Sequence, residues 1–301
     1  MAAWDTIVVG GGPAGLACAL WLARFRRKVC VFDTAEPRNE PAWAVHGFPG
    51  ILDPTPSELR GRIRQQARAA GAALTLDAVS RVAGEKEAFQ VTTAGGETHE
   101  ARRVVLGYGL RDYLPDVPGI RSLFGTAVFH CADCDGPEAA GRAVAVVGHD
   151  RSAATLALAL RYWSERVALL PHEGRLELGA EDAATLAREG VSVREGRIAR
   201  LEAAEGVLRG LEFEDGSSLD CDRIFFHLGA EPRCDLAEHL GCRLDDAGYI
   251  EVDRGQESSV PGVYAIGDIT GPPHLASTAA ADGVKAALTI HRSLLPPERQ
   301  L

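Results

Sequence analysis

The chain has 301 residues, 46% of them hydrophobic, enough for proper cores in two domains of ordinary size. Its net charge of -10 excludes nucleic acid and anionic membranes as partners, since both attract basic faces, and leaves charge the task of keeping the protein dispersed. No apolar run approaches the roughly 18 residues of a membrane span, and the amino terminus enters a strand at Asp5-Thr6-Ile7-Val8-Val9 with no charged leader or cleavage site, so a cytoplasmic location is expected.

Thr6 to Val9 is a short apolar run, followed by Gly10-Gly11-Gly12-Pro13-Ala14-Gly15, by Leu16, Ala19, Leu20 and Ala23 at helical spacing, and by Val29-Cys30-Val31-Phe32 ending on Asp33. The order is strand, turn, helix, strand, a βαβ unit. In such a unit the first glycine makes the tight turn, the second lets a pyrophosphate reach the backbone, and the third lets helix meet strand. The helix amino terminus then faces the phosphates. Asp33 is placed to accept from a ribose hydroxyl. A lone glycine pattern can be a chance loop, but strand, helix and terminal acid agree here, and the unit is expected to bind a nucleotide.

A loop rich in Pro and Asn follows (Pro37-Arg38-Asn39, then His46-Gly47-Phe48-Pro49-Gly50), then an amphipathic helix from about Ser57 to Ala70. Short alternating runs at Leu74-Leu76, Val79-Val82 and Phe89-Thr92, a Gly95-Gly96 turn and an apolar strand at Arg103-Leu106 predict a small sheet inserted in the same domain. After Leu114-Pro115-Asp116-Val117-Pro118-Gly119 the pattern restarts. Ala143 to Gly148 is a second strand and turn, Ala153 to Trp163 a second helix, Arg166 to Leu170 its second strand, and Arg223 to Phe226 a later one. Gly262 to Asp268 reads as a strand delivering an aspartate, with a helix from about Ser277. The expected fold class is α/β, with two Rossmann-like three-layer domains, the second inserted into the first: residues 1–114 and 229–301 form one, and 115–228 the other.

Between the two glycine turns lies Cys131-Ala132-Asp133-Cys134. Thiols two residues apart close too small a loop to staple a fold, because cross-linking entropy grows with loop length and short bridges are easily reduced. The pair is expected to be a working disulfide with the bound nucleotide as electron partner. Zinc would require a second pair of comparable spacing, and none exists, so no metal is expected. The other five cysteines (Cys18, Cys30, Cys221, Cys234, Cys242) are scattered and read as buried small residues or bystanders. His130 is either a proton relay or a strand-end residue, and Tyr162 and Trp163 are expected in the core of the second domain.

Gly10 to Gly15, Cys131-Ala132-Asp133-Cys134-Asp135-Gly136 and Tyr264-Ala265-Ile266-Gly267-Asp268, in that order, resemble the low-molecular-weight thioredoxin reductase-like flavoproteins along almost the whole chain. The resemblance implies FAD as the cofactor. Gly10, Gly12 and Gly15, in the turn that includes Pro13 and Ala14, would hold its pyrophosphate, Asp33 its adenosine ribose, and Gly267-Asp268 its pyrophosphate-ribityl region. The helix near Ser277 would aim its amides at the flavin's pyrimidine edge, favouring the anionic reduced ring. It implies also that Cys134 faces the flavin, Cys131 exchanges with an outside dithiol, and Asp135 manages protons. Partners would be a small dithiol or disulfide or a thioredoxin-like protein, and the oligomer a homodimer.

The second turn departs from the family. It reads Gly148-His149-Asp150-Arg151-Ser152-Ala153, with Asp150 where a glycine should let pyrophosphate approach. One unit charge about 5 Å from another at an effective dielectric near 20 costs about 3 kcal/mol, partly offset by His149 and Arg151. After Leu170 come Pro171-His172-Glu173-Gly174 instead of arginines that grip a 2'-phosphate. NADPH is disfavoured twice, and NADH less strongly because Glu173 could accept from a free 2'-hydroxyl. The chain is thus more similar to the branch lacking a working nicotinamide site, namely dithiol oxidases of the gliotoxin and holomycin type and ferredoxin-linked reductases. Arg38-Asn39, His46-Gly47-Phe48 and Gly109 to Gly119 point the same way, whereas Asp135, where that branch often has histidine, stays reductase-like. The expectation is an FAD-dependent dithiol/disulfide oxidoreductase independent of NADPH, with oxygen, ferredoxin or a dithiol as donor or acceptor. An NAD(P)H-dependent thioredoxin reductase and a non-enzymatic flavin-binding redox sensor are the alternatives.

Overall fold

The computed structural model describes residues 4–172 and 174–299. The first stretch carries β1 (Trp4–Val9), α1 (Pro13–Arg24), β2 (Val29–Asp33), α2 (Pro56–Ala69), β3 (Ala73–Leu76), β4 (Val79–Ala83), β5 (Phe89–Thr93) and β6 (Thr98–Leu106). The middle carries β7 (Leu110–Asp112), α3 (Ile120–Leu123), β8 (Val128–Phe129), α4 (Ala132–Asp135), β9 (Ala143–Val147), α5 (Arg151–Leu160), β10 (Arg166–Leu170), α6 (Ala180–Arg188), β11 (Val191–Val193), β12 (Ile198–Ala204), β13 (Val207–Phe213), β14 (Ser218–Asp220) and β15 (Arg223–Phe226). The last carries β16 (Ala230–Pro232), α7 (Leu236–His239), β17 (Val263–Ala265) and α8 (Ala276–Ser293). Two compact units result, one of residues 1–40, 47–111 and 232–301, the other of 41–46 and 112–231.

In the first unit the strands run in the order β3-β2-β1-β6-β5-β4, with β17 on β6. β6 does two things along its length: Thr98–Ala101 pairs antiparallel with β5, while Val104–Leu106 pairs parallel with both β1 and β17. Ile7, Val8 and Val9 are all buried, as expected of a parallel strand covered on both faces. Because successive side chains alternate, Ile7, Val9 and Leu106 enter one core and Val8, Val31 and Val105 the other. The second core is closed by α1 and α8. Their backbones come so near that a Cβ on Gly283 would lie 2.1 Å from the Ala14 carbonyl oxygen.

The second unit repeats the plan with a five-stranded parallel sheet, β11-β10-β9-β15-β8, and a separate antiparallel sheet, β12-β13-β14. Val144 and Val146 face one core, Ala145 and Val147 the other. Three expectations need correction here. The second helix starts at Arg151 and ends at Leu160, because Asp150 serves as its N-cap. Tyr162, placed in the core from the sequence, lies beyond that end and is 86% exposed, while Trp163 packs against the core. Residues 41–46, read from the sequence as part of the first domain, cluster with this unit. Trp43 donates its backbone N–H to the Gly125 carbonyl at 3.2 Å, and a Cβ on Gly125 would meet the Pro41 carbonyl oxygen at 1.9 Å. Among the described residues, no helix is long and apolar enough to cross a membrane.

Candidate active site

In the first unit the glycine turn is built by close approach. Gly10 has φ +110°, and a Cβ there would sit 2.2 Å from the Gly107 carbonyl oxygen; one on Gly15 would sit 2.0 Å from that of Gly10. Gly12 differs from both, since a Cβ there would meet no atom within 4 Å. Gly12 is also the N-cap of α1 and brings no side chain to the first amides, while Pro13 at the helix start has no N–H to leave unsatisfied. An uncapped helix amino terminus beside open space fits a diphosphate. Asp33 lies against this turn, its Oδ1 accepting from Gly11 N at 3.3 Å and Ala35 N at 3.1 Å, its Oδ2 from the Arg64 guanidinium. Gly267 approaches Ala14, and Ala279 of α8 lies beside it, so Gly267, the start of α8 with half-buried Ser277, and the turn at Gly12 to Gly15 share one side of the unit. Asp268, in the 3-10 turn Gly267–Thr270, accepts from Arg38 Nη1 at 2.9 Å. The sequence reading did not single out Arg64, and it used Arg38 only as a family marker. No spacing rule connects either to its partner.

In the second unit Cys131 and Cys134 form a disulfide, half-buried at the start of α4, with Cys131 Sγ accepting from Cys134 N at 3.1 Å. Asp135 is 8% exposed. Burial pushes its carboxyl up to about 6, opposed by the positive charge of His46 and assisted by the negative charge of Glu138. His46 is the residue sequence reasoning noted without assigning it to the site; only the fold of 41–46 brings it to Asp135. Its ring meets Trp43 edge-on at 5.0 Å. Gly136 is where the Trp163 ring passes, 2.5 Å from any Cβ placed there. His130 ends its strand among Phe124 and Phe226. Of the other cysteines, Cys18, Cys30, Cys221 and Cys242 are buried and Cys234 is half-buried, with burial raising each thiol. No group of metal ligands occurs among the described residues.

The second glycine turn is filled by its own chain. Asp150 Oδ1 accepts from Ala153 N at 2.9 Å, taking the first-turn amide of α5 that a phosphate would use. Glu177 N donates to the His149 carbonyl at 2.7 Å, which folds the loop after β10 onto the turn. Arg151, expected to offset the charge of Asp150, pairs instead with Asp182 at 3.3 Å. His172 turns inward and accepts from Ile198 N at 3.0 Å. Glu173 lies outside the described residues.

A doubled dinucleotide fold with a CxxC disulfide defines a disulfide oxidoreductase. Residues 4–283 match the family described as pyridine nucleotide-disulphide oxidoreductase, and the chain belongs to it. It is similar to "Thioredoxin reductase tcpT" of Claviceps purpurea (strain 20.1), 30% identical over 279 residues, covering 88% of this chain and 86% of that one. The thioredoxin reductase of Mycolicibacterium smegmatis is 31% identical over 301 residues, 96% of each chain. The crystal structure of HlmI matches with a TM-score of 0.92 at 37% identity, covering 97% of this chain and 92% of that one. The protein is thus a thioredoxin reductase-like flavoprotein that binds FAD, and the uncapped turn at Gly12 suits that cofactor.

Proposed function

We propose that the protein exchanges electrons between a dithiol or disulfide and FAD through Cys131 and Cys134, without NADPH. The observation that carries the NADPH independence is the second turn, where Asp150 occupies the amide of Ala153 and Glu177 is bonded to His149. A dinucleotide diphosphate would have to displace both and face the carboxylate of Asp150.

In the oxidising direction a substrate thiolate attacks Cys131 Sγ. The new S–S bond forms as the Cys131–Cys134 bond breaks, and Cys134 leaves as a thiolate. The second substrate thiolate then attacks the substrate sulfur of the mixed disulfide, releasing the cyclic or bridged product and Cys131 thiolate. Asp135, whose carboxyl titrates near neutrality, holds and returns the protons of these thiols, and His46 beside it favours the ionised form. FAD, when bound, would supply the two-electron acceptor for this cysteine pair, and oxygen or ferredoxin the onward one. Run in reverse, the same steps reduce a disulfide, including that of a thioredoxin-like protein. A homodimer, carried by the resemblance, and a cytoplasmic location, expected from the sequence, belong to the same reading. The names of the relatives and Asp135 after the second cysteine favour a second reading, an NAD(P)H-dependent thioredoxin reductase.

Anaerobic mixing separates the two. Stoichiometric dithiothreitol should bleach the flavin band, whereas NADPH and NADH should not. Bleaching by either nucleotide within seconds would overturn the proposal. Cys134→Ser should keep FAD and lose bleaching by the dithiol.

A further inference from the structure

The two carboxylates that the resemblance assigns to FAD are both engaged by arginines that lie outside the glycine turn. Asp33 gives one oxygen to the backbone of Gly11 and Ala35 and the other to Arg64 of α2. Asp268 gives Oδ2 to Arg38. All four side chains are mostly buried: 29% and 12% exposed for Arg64 and Asp33, 14% and 20% for Arg38 and Asp268. Arg62, on the same helix, does otherwise. It pairs with Glu58 one turn away on the exposed face, 61% and 46% exposed.

Charge makes the arrangement pointed. FAD brings two negative charges on its diphosphate, and its ribose and ribityl chains offer hydroxyls as donors. A carboxylate that accepts from those hydroxyls stands beside the diphosphate and repels it unless a cation stands with it. A guanidinium suits that place: it is always charged, and its planar fork matches the geometry of a carboxylate. It also fixes the rotamer of the carboxylate, so the acceptor is oriented before the cofactor arrives.

We propose that Arg38 and Arg64 are cofactor-holding residues on the two sides of the FAD diphosphate, Arg64 with Asp33 at the adenosine ribose and Arg38 with Asp268 at the ribityl chain. The proposal rests on the FAD reading of the first unit. The residues act in separate places, so fragments of the cofactor distinguish them.

The full-length protein is deflavinated, and binding of FAD, FMN and ADP is measured by flavin fluorescence quenching and calorimetry for the unaltered chain, Arg38→Ala, Arg64→Ala and the two Arg→Lys variants. Loss of a charge-assisted hydrogen bond predicts about a ten-fold weakening. Arg64→Ala should weaken FAD and ADP by that factor and leave FMN within two-fold. Arg38→Ala should weaken FAD and FMN and leave ADP within two-fold. Lysine should recover part of each loss. Equal losses for both fragments in either variant, or no loss for either, would overturn the proposal. An unaltered chain that binds none of the three would overturn the cofactor reading beneath it.

Discussion

Asp135 carries a carboxyl that burial has moved to about 6, next in sequence to Cys134, which the proposed exchange makes the leaving sulfur. A group that titrates there can hold a proton at one step and give it up at the next, whereas an ordinary aspartate would stay ionised. Asp135→Asn should slow dithiol bleaching of the flavin roughly 100-fold and abolish the pH transition near 6 in that rate, read by stopped-flow between pH 5 and 8. The stability sign follows from the same shift. The folded carboxyl binds its proton more tightly than the unfolded one, so its contribution is fully present below the usual aspartate value of 3.8 and is lost as pH rises through about 6. The ionised form then costs about 3 kcal/mol, so the asparagine variant should gain on the unaltered chain between pH 4 and pH 8 in denaturant melts. Asp135 was legible because it adjoins the CxxC. His46 was not, since its nearness to Asp135 is made by a loop with no periodic pattern. Tyr162 misled because it continues the apolar run of a helix that has already ended.

The helices α1 and α5 are the same element used in opposite ways. Both follow a buried parallel strand and a glycine turn, yet α1 begins with bare Gly12 and α5 with the carboxylate of Asp150 on its own amide. Asp is among the preferred N-caps, and its loss typically costs about 1 kcal/mol. Asp150→Ala should lower the unfolding free energy by about that amount in urea melts. NADPH should still fail to bleach the flavin, because Glu177 remains bonded to His149. Reading Asp150 only as a misfit in a phosphate turn missed its role as the cap, which shifted the expected helix start from Arg151 to Ala153. The strands of the parallel sheets that were read, such as Ala143–Val147, were legible nearly to their ends because they are buried on both faces, whereas the short β8 and β11 and the half-exposed β12-β13-β14 sheet went unread. The fold of the loop after β10 was not, since a single backbone hydrogen bond decides it.

At the scale of the molecule, Gly10, Gly12, Gly15, Asp33, Asp268, Arg38 and Arg64, which the proposal assigns to FAD, all belong to one unit and the disulfide to the other. A ligand that binds only the folded form of one unit stabilises that unit by mass action, by about 2.7 kcal/mol at a hundred times Kd. Calorimetry of the apoprotein with and without FAD should therefore move the transition of the first unit and leave that of the second in place. A single transition moving as a whole would show that the units melt together. The repeated βαβ pattern made the insertion readable, because a second strand, turn and helix in mid-chain has no place in the first sheet. The six residues 41–46 could not be assigned from sequence, being held by the backbone contacts of Trp43 and Pro41 to Gly125.

Gly283 sets α8 directly against the carbonyl of Ala14, at the start of α1. That helix is synthesised after the continuous stretch that bears the cysteines. During synthesis residues 112–231 can therefore fold while the first unit still lacks α8, so the packing of Gly283 on Ala14 is made only after the disulfide-bearing stretch is complete.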